Sequence, residues 1–480
     1  MPEFPNIVWI MADDMGYGDP ACFNPESKIP TPNMDRLAAE GMRFTDAHSS
    51  SAVCTPSRYS VLTGRYCWRT RLKRGVNGGF SLPLIDPARR TVASLLKTRG
   101  YATAAVGKWH VGLEFQSRDG ERADPDNWED EGKWDYSKPI LGGPRQLGFD
   151  YFFGIAGSLD MPPYCFIENE HTVGIPAVEK NPYNPQQRKG FMTPDWKDED
   201  VDRIFAERAL GFMERACRQR PDSPFFLYLT PAAPHRPCVP PDFAKGKSNA
   251  GPRGDMVWVV DWLLGQVLQA LDRLGIAENT LVFLTSDNGA RLADVDGNTY
   301  GHRACGEFRG CKADIWEGGH RVPLIARWPG RTPPGTTCNA AVSLMDLFAT
   351  CAEITGMKSL PPFAGEDSWS LLPLLEGQDD RSPRFAAGES LIHHSLAGMF
   401  AVRRDQWKVI FGLGSGGFTP PRFQTPKTPA DPSGQLYDLQ ADAREIRNLW
   451  MEHPELVRNA GAVLERYKID GRSRPPEESA

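Results

Sequence analysis

The sequence lacks the features of a membrane-anchored chain or of one that carries its own export signal. It contains no run of about 18 apolar residues, which a membrane-spanning helix would need. Its N-terminus has no basic segment followed by a long apolar stretch. We therefore expect no membrane span and no export signal in the chain as given. Because such a signal is cut from a mature protein, a periplasmic or secreted location stays compatible with the sequence, and the compartment is left open.

Cysteine is scarce, and so is any excess of positive charge. Ten cysteines in 480 residues are too few for a disulfide-stabilised scaffold, and they form no paired CxxC motif of the kind that binds zinc. Cys305 and Cys311 could pair with each other, but the sequence does not decide this. The net charge of −6 makes nucleic acid or an anionic membrane surface an unsuitable partner.

Apolar runs of strand length alternate with amphipathic segments through most of the chain. With 480 residues, of which 40% are hydrophobic, the sequence is long enough for one large domain or for one large and one small domain. The alternation is typical of an α/β fold in which helices cover both faces of a mostly parallel sheet. The clearest strands are NIVWIM at 6–11, YATAAV at 101–106, PFFLYL at 224–229 and TLVFLT at 280–285.

Three segments between these strands predict helices. Thr31 can cap a helix that has Pro32 at its first position and ends at Gly41. Residues 91–100 repeat this arrangement without the proline, and residues 255–274 carry an apolar stripe along one helix face. The stripe consists of Val259, Val260, Leu263, Leu264, Val267, Leu268 and Leu271.

The pattern changes near residue 376. The segment EGQDDRSPR at 376–384 is typical of a linker, and the stretches at 399–413 and 434–440 have the pattern of short antiparallel strands. We therefore predict a large domain over 1–375 and a small C-terminal α+β subdomain with an antiparallel sheet over 376–480. No internal repeat or low-complexity segment is visible in the sequence.

Polar residues directly follow each of the four predicted strands. In a sheet of parallel strands, the carboxyl ends lie at one edge, where ligands bind. One such cluster alone is an ordinary turn, since Asp, Asn, Gly and Pro are common turn residues. Four such clusters at one edge of the sheet favour a ligand-binding site. The residues are Asp13 and Asp14, Lys108 and His110, His235, and Asp287 and Asn288.

Oxygen ligands are the main feature of this group. Three carboxylates and one amide oxygen would form a cage suited to Ca²⁺, with Mg²⁺ as the alternative, and unsuited to a metal that prefers thiolate. The lysine and histidines beside the cage would supply positive charge and proton transfer, which points to an anionic substrate. The cage residues are Asp13, Asp14, Asp287 and Asn288.

Cys54 lies where a helix is predicted to begin. Pro56 suits an early helical position, so Cys54 is placed at a helix N-terminus, which favours negative charge. Arg58 follows four residues later on the same face. One interpretation is a thiolate nucleophile with a lowered pKa. A soft thiolate fits badly beside a hard oxygen-bound cation, however, and an oxygen nucleophile would fit better.

Residues 54–65, CTPSRYSVLTGR, resemble the signature CxPSRxxxLTGR of the type I sulfatases, in which the cysteine is oxidised to formylglycine. The resemblance extends through most of the chain and implies an alkaline-phosphatase-like fold with a catalytic domain and a small C-terminal domain. It is carried further by Asp13–Asp14, GKWH at 107–110, PHRP at 234–237, SDNG at 286–289, RGCKADIWEGGHRVPLIARWPG at 309–330 and LYDLQADAREIRNL at 436–449.

The resemblance also implies a reaction and its cofactors. A formylglycine-generating enzyme would convert Cys54, and one hydroxyl of the hydrate would bind Ca²⁺ together with the four cage residues. That hydroxyl would attack sulfur and give a sulfated enzyme. Deprotonation of the second hydroxyl, assigned to His110, would then expel sulfate.

Four further residues take roles from the same resemblance. Arg58 and Lys108 would hold the hydrate and its oxyanion. Lys312 and His235 would bind sulfate oxygens and protonate the leaving oxygen. From the residues alone, Lys312 and His235 could also be ordinary polar residues of loops.

Other residues give weaker predictions. Asp160, His302 and Arg303 could contact substrate, although surface positions would explain them as well. His393 and His394 are predicted as a surface pair, with a place at the mouth of the site as the alternative. The segment 113–140 could form a lid or a solvated loop.

Three classes of function stay open at this point. The first is a sulfuric ester hydrolase, exo-acting on sulfated carbohydrates or on aryl sulfates. The second is a phosphonate or phosphate diester hydrolase, because relatives share the CxPSR nucleophile. The third is a non-catalytic binder of sulfated glycans with unmodified Cys54. The EGGHRVP and LYDL segments favour the first, while the natural substrate is not predictable.

Overall fold

The computed structural model describes residues 3–121, 131–292, 299–361 and 363–476. Its strands form a ten-stranded sheet, a four-stranded sheet and two small two-stranded sheets. The strands are β1 (Asn6–Ala12), β2 (Met42–Phe44), β3 (Ala47–His48), β4 (Ala102–Lys108), β5 (Tyr151–Ile155), β6 (Ile167–Glu168), β7 (His171–Thr172), β8 (Val178–Lys180), β9 (Gly190–Met192), β10 (Phe225–Thr230), β11 (Thr280–Ser286), β12 (Leu324–Arg327), β13 (Thr336–Cys338), β14 (Val342–Ser343), β15 (Leu391–His394), β16 (Phe400–Arg404), β17 (Trp407–Ile410) and β18 (Gln435–Asp438).

The large sheet has the order β13-β2-β12-β11-β1-β10-β4-β5-β6-β7. Its centre is parallel, since β1 pairs in parallel with β10 and β11, and β4 pairs in parallel with β10 and β5. Antiparallel strands appear toward the margins, where β12 pairs with β11 and β6 pairs with β5. The prediction of a mostly parallel sheet is confirmed, and the four predicted strands are its central members β1, β4, β10 and β11.

The α-helices of the described residues lie on both faces of this sheet and in the C-terminal region. They are α1 (Pro32–Glu40), α2 (Cys54–Thr63), α3 (Val92–Lys97), α4 (Val201–Gln219), α5 (Gly251–Arg273), α6 (Glu317–His320), α7 (Leu347–Ile354), α8 (Leu372–Leu375), α9 (Pro383–Ala386) and α10 (Pro454–Asp470). None of the helices within these described residues combines the length and the apolarity that crossing a bilayer requires.

The predicted helix ends are correct in part. Thr91 caps α3 in a capping box with Ser94, but α3 ends at Lys97, before Gly100. Thr31 precedes α1 without capping it, because its Oγ1 accepts a hydrogen bond from Ala21 N instead. The predicted 255–274 helix begins earlier, at Gly251, and all seven residues of its predicted stripe are buried.

Both faces of the sheet are covered by apolar side chains. Along β1, Ile7, Trp9 and Met11 belong to one hydrophobic cluster, while Val8 and Ile10 belong to the other. The first cluster includes residues of α2, α3 and α7, and the second includes residues of α1, α4 and α5. This alternation follows from the two-residue period of a strand, and because both faces of the sheet are covered, the strand ends are left for a site.

The C-terminal region carries the antiparallel sheet β15-β16-β17-β18. Its residues Ala401, Ile410 and Tyr437 pack against Ile315 and Trp316, which directly precede α6. The predicted antiparallel sheet is therefore confirmed, while the division of the chain at residues 375 and 376 stays a prediction.

Candidate active site

Cys54 is the first residue of α2, and Val53 before it is extended. Every residue of α2 is buried, and Cys54 itself is 2% exposed. Burial raises the pKa of the Cys54 thiol to about 12, although Lys108 and Lys312 act in the opposite direction. Burial therefore favours the neutral thiol over a thiolate nucleophile, which agrees with the oxygen nucleophile as the better interpretation of the residue.

Four oxygen-bearing side chains meet at the carboxyl ends of β1 and β11. Asp14 has a positive φ of 68°, and its backbone N donates to Asp287 Oδ1 at 3.2 Å. Asn288 Nδ2 donates to Asp14 Oδ1 at 2.7 Å. All four of these side chains are almost completely buried. We call Asp13, Asp14, Asp287 and Asn288 the oxygen cluster.

The oxygen cluster contains unsatisfied acceptors. Within the described parts of the chain, neither Asp13 Oδ1 nor Asn288 Oδ1 accepts a hydrogen bond, although both atoms are buried. Such atoms are costly unless a partner compensates them. Ligand atoms of Asp13, Asp14, Cys54 and His235 lie within 4.8 Å of one another. Buried oxygens without donors, beside other carboxylates, fit a hard divalent cation.

Three cationic side chains surround this cluster. Arg58 Nε donates to Asp287 Oδ2 at 2.9 Å, and Lys108 Nζ lies 2.6 Å from Asp13 Oδ2. Lys312 Nζ lies 2.6 Å from Asp14 Oδ1 and 3.4 Å from Cys54 Sγ. All three are buried, so the interpretation of Lys312 as a solvated loop residue is wrong.

Each partner of the Lys312–Asp14 pair favours the charged form of the other. Burial raises the pKa of Asp14, but Lys312, His235 and Lys108 more than offset this and hold it well below its usual range. Burial lowers the pKa of Lys312, whereas Asp14 and Cys54 raise it further, so the net pKa is raised. The site therefore keeps a fixed ammonium next to the Cys54 side chain.

Two histidines lie beside this group, near its cationic side chains. His110 has a positive φ of 57°, and its Nε2 lies 2.8 Å from Asn77 O. A carbonyl can only accept, so Nε2 carries the hydrogen and Nδ1 has the lone pair. Among the described residues, His110 Nδ1 has no hydrogen-bond partner. Burial, with Lys108 and Arg58, lowers the pKa of His110 well below its usual range.

His235 has the opposite tautomer. Its Nδ1 lies 2.9 Å from Arg236 O, so Nε2 has the lone pair, and Nε2 is 3.7 Å from Asp14 Oδ2. Burial and Lys312 lower the pKa of His235 to about 4. His110 thus presents a lone pair at Nδ1 that can accept a proton, and His235 presents one at Nε2, where a proton taken up by the ring would lie toward Asp14 or another anion.

The three weaker substrate-contact predictions have different outcomes. Asp160 is 2% exposed, and its Oδ2 lies 2.9 Å from Arg236 Nη2, next to His235 in the chain. His302 has a fully buried side chain whose Nε2 lies 2.9 Å from Asp19 Oδ1, so we correct its role from a substrate contact to a support for Asp19. Arg303 is exposed.

Three supporting residues are missing from the predictions. Asp19 forms an ion pair with Arg253 at 2.7 Å, and Arg253 Nη2 donates to Asp14 O at 2.8 Å. Arg253 lies before the apolar stripe of α5, and Asp19 lies in a glycine-rich turn, so neither position has a periodic signal. Asn77, whose carbonyl fixes the His110 ring, carries no sequence signal because its contact is made by the backbone.

The prediction of a surface pair at 393–394 is wrong. Both histidines lie on β15, the first strand of the C-terminal sheet, and are 0% and 1% exposed. His393 stacks on His320 with ring centroids 3.9 Å apart, and His48 Nδ1 lies 3.1 Å from His320 Nδ1. We call His48, His320 and His393 the histidine cluster.

Two loop predictions concern other parts of the chain. Residues 122–130 of the predicted 113–140 lid lie outside the described residues, and the flanking Phe115 and Trp134 are buried in the core. Cys305 and Cys311 are unlinked thiols, and Cys305 Sγ lies 3.5 Å from Gly318 O.

Comparison with known proteins agrees with this geometry. The family model described as Sulfatase matches residues 5–357. The chain is 35% identical to the N-acetylgalactosamine-6-O-sulfatase of Bacteroides thetaiotaomicron, over 97% of this chain and 93% of that protein. It is 34% identical to human arylsulfatase A, over 93% and 83%. A solved structure reported with the metabolism of multiple glycosaminoglycans by B. thetaiotaomicron superposes with a TM-score of 0.81 at 32% identity, covering 97% of this chain and 100% of that one.

Proposed function

The chain belongs to the sulfatase family and is a sulfuric ester hydrolase, and we propose that it acts on a sulfated carbohydrate. The observation that carries this proposal is the buried group of Cys54, Lys312 and the oxygen cluster at one edge of the sheet. Because this group is recessed, it suits a sulfate at the end of a sugar chain better than one in the middle, which supports exo action.

The family generally uses a metal ion and formylglycine, and we infer that this chain uses Ca²⁺ and a formylglycine made from Cys54 by a maturation enzyme. The ligands would be the four residues of the oxygen cluster and the converted side chain at position 54. When bound, the ion and the formylglycine hydrate would polarise a sulfate oxygen and supply an oxygen nucleophile. Mg²⁺ is the alternative ion for the same oxygen donors.

The cationic side chains would neutralise charge that spreads over the sulfate oxygens. Lys312 supports this role because its ammonium is already 3.4 Å from Cys54 Sγ and is kept charged by Asp14. Arg58 and Lys108 would orient the side chain at position 54 through Asp287 and Asp13. Fixed charges of this kind stabilise a transition state without reorganising during the reaction.

Two proton transfers are assigned to the two histidines. His110 Nδ1, which has a lone pair and no donor among the described residues, would accept a proton from the hydroxyl at position 54. His235, once protonated at Nε2 beside Asp14 Oδ2, would donate that proton to the leaving alcohol. A sugar alcohol is a poor leaving group, so this proton matters for a carbohydrate substrate.

Asp160 is proposed as a contact to the sugar. Its Oδ1 is buried and accepts no hydrogen bond from the described residues, while its Oδ2 binds Arg236. An unpaired carboxylate oxygen next to a guanidinium can bind a sugar hydroxyl and so favour one stereoisomer.

The test is a panel of defined sulfated mono- and disaccharides, with an aryl sulfate and an aryl phosphonate measured in parallel. We expect sulfate release from one position of one terminal sugar and slow turnover of the phosphonate. Faster turnover of the phosphonate than of any sulfate ester would overturn the proposed substrate class.

The same preparation tests the residue at position 54. A peptide mass spectrum should show formylglycine when the host contains the maturation enzyme, and Cys54→Ser should have no sustained turnover in a host that converts only cysteine. Full activity with only thiol detected at position 54 would exclude the proposed nucleophile.

A further inference from the structure

Lys312 lies in a segment that contacts both the residues before Cys54 and the C-terminal region. We call residues 309–320 the lysine loop. Ala313 N donates to Ala52 O at 2.7 Å, which ties the loop to the segment before Cys54. On its other side, Ala313 O accepts from Leu396 N at 2.9 Å. Ala313 has a φ of 80°, a value that L residues rarely adopt, so the surroundings must hold this turn.

Asp314 is the central acceptor of this support. Its Oδ1 accepts from Phe418 N at 2.7 Å and from Thr419 N at 3.1 Å. Its Oδ2 accepts from Cys311 N at 2.9 Å and from the Thr419 hydroxyl. The side chain is 0% exposed. One buried carboxylate therefore joins the residue before Lys312 to the C-terminal segment 415–419.

The backbone of that segment touches the lysine loop directly. Ile315 N donates to Ser415 O at 2.8 Å. A Cβ placed on Gly417 would lie 2.3 Å from Ala313 O. This is closer than side-chain atoms approach, so a glycine is required at 417 for the turn to keep its position.

The C-terminal end of the lysine loop is held by buried charges. Lys408 Nζ on β17 lies 2.9 Å from Glu317 Oε1 and 2.9 Å from Glu445 Oε1. Glu317 N donates to Glu445 Oε2 at 2.6 Å. All three side chains are fully buried. The loop that carries Lys312 is thus bounded on both ends by residues of the C-terminal region.

We propose that Asp314 is a positioning residue for Lys312, and that segment 415–419 of the C-terminal region completes this support. The C-terminal region then belongs to the active site in function, although it supplies none of the proposed catalytic groups. The proposal rests on the role given to Lys312 in the proposed function. A displacement of about 1 Å in a reacting geometry can cost about 100-fold in rate, which sets the expected effect.

The test is a double-mutant cycle on an activated aryl sulfate. We expect Asp314→Ala to lower kcat/KM by about 100-fold in the native background and by less than about threefold in the Lys312→Ala background. Asp314→Asn keeps one acceptor oxygen for the Phe418 and Thr419 amides and should retain more activity than the alanine variant. A structural defect alone would lower activity equally in both backgrounds.

Asp261→Asn is the matched control. Asp261 is another buried carboxylate that accepts backbone amides, from Asn33 and Met34 at 3.0 and 2.8 Å, but it lies on α5 and contacts neither the lysine loop nor the C-terminal sheet. It should lower thermal stability and leave kcat/KM of the folded protein unchanged. If Asp314→Ala does not fold, Gly417→Ala carries the same cycle, because its added methyl displaces Ala313.

The outcomes separate the two claims. Equal losses in both backgrounds, or no loss in the native background, would overturn the positioning role while the proposed function stands. Full activity of Lys312→Ala alone would remove Lys312 from the proposed mechanism and the positioning role with it. Within each background, the Asp314 variants should keep the bound metal of their parent, since the hydrogen bonds described for the Asp314 side chain go to Cys311, Phe418 and Thr419 and not to the oxygen cluster.

Discussion

The oxygen cluster and the histidine cluster are both buried groups of residues that commonly bind metals, yet their geometry differs. Ligand atoms of His48, His320 and His393 lie within 4.8 Å of one another, and so do those of Asp13 and Asp14 of the oxygen cluster together with Cys54 and His235. Burial and composition therefore do not distinguish them. What differs is whether the atoms that face each other still need a partner.

In the oxygen cluster, two of the atoms that face each other still need a partner. Asp13 Oδ1 and Asn288 Oδ1 accept no hydrogen bond from the described residues, although Arg58 Nη2 lies 3.6 Å from Asp13 Oδ1, while Lys108, Lys312 and Arg58 hold other oxygens of the cluster. The donors fix the orientation of the carboxylates and leave specific lone pairs directed at a common space. A cation is the partner that such a group lacks.

In the histidine cluster, five of the six ring nitrogens already have protein partners, and His393 Nε2 is the exception among the described residues. The rings of His320 and His393 are stacked at 13°, so their in-plane lone pairs run nearly parallel and do not meet at a point. His48 Nε2 lies 2.7 Å from Asp46 Oδ1, and Lys408 Nζ lies 3.0 Å from His320 Nε2. We interpret this cluster as a hydrogen-bonded contact between the lysine loop and the C-terminal sheet. Unsatisfied convergent atoms, rather than buried charge, identify the site.

The largest expected difference is between Asp287 of the oxygen cluster and Asp46, which binds His48 of the histidine cluster. Asp287→Ala should remove the bound ion and lower kcat/KM by about 1,000-fold or more, because a Lewis acid contributes several kcal/mol to the transition state. Asp46→Ala is the matched change beside the other cluster, since Asp46 also pairs with an arginine, Arg403, at 2.8 Å. It should lower stability and keep the ion. Metal analysis and kinetics of both variants check this, and loss of the ion from Asp46→Ala would reverse the comparison.

The sequence predicts the oxygen cluster because strand ends are local signals. Asp13–Asp14 and Asp287–Asn288 follow hydrophobic runs directly, and parallel strands must bring their carboxyl ends to one edge. The central strands are predictable for the same reason, within one or two residues. The signature around Cys54 then gives the nucleophile.

The histidine cluster is not predictable in this way. His48, His320 and His393 come from three distant segments, and each has a polar neighbour that suggests a surface position. Their burial depends on how β15 and the lysine loop pack together, which is a tertiary effect without a short-range pattern. Asp19 and Arg253 were missed for the same reason, since their ion pair joins a turn to a helix far along the chain.

The next largest effects concern the two histidines of the active site. His235→Ala should lose about 100-fold or more on a sulfated sugar and much less on nitrophenyl sulfate, because only the sugar alcohol needs a proton to leave. His110→Ala should give a burst of alcohol equal to the enzyme and then little turnover, because release of sulfate needs its Nδ1. Rates on both substrates, with intact mass taken during turnover, measure this. Equal losses on both substrates for His235→Ala, with no burst for His110→Ala, would reject both assignments.

Lys408→Met should act on stability more than on chemistry. Removing the ammonium leaves Glu317 and Glu445 buried without their shared cation, and breaking a buried pair in this way costs about 3–5 kcal/mol. Burial raises the pKa of Glu445 to about 7, so this residue can take up a proton and reduce the cost. Lys408→Met combined with Glu445→Gln should therefore recover part of the lost free energy of unfolding. Urea unfolding of the single and double variants measures this, and an equal or larger loss in the double variant would contradict the charge balance described here.

The smallest expected effect is at His393, and it separates the two interpretations of its cluster. His393 Nδ1 makes one long contact of 3.2 Å to Ser49 O, and its Nε2 has no hydrogen-bond partner among the described residues. Leucine has a similar volume, so His393→Leu should change the free energy of unfolding by less than about 1.5 kcal/mol and leave the ion content and kcat/KM unchanged. His320→Leu is the control, because it removes a ring that contacts His48, Lys408 and Ile315 O, and it should cost more. If His393 were a metal ligand, its loss would instead release an ion and destabilise the protein as much as the loss of His320, and the distinction between the oxygen cluster and the histidine cluster would fail.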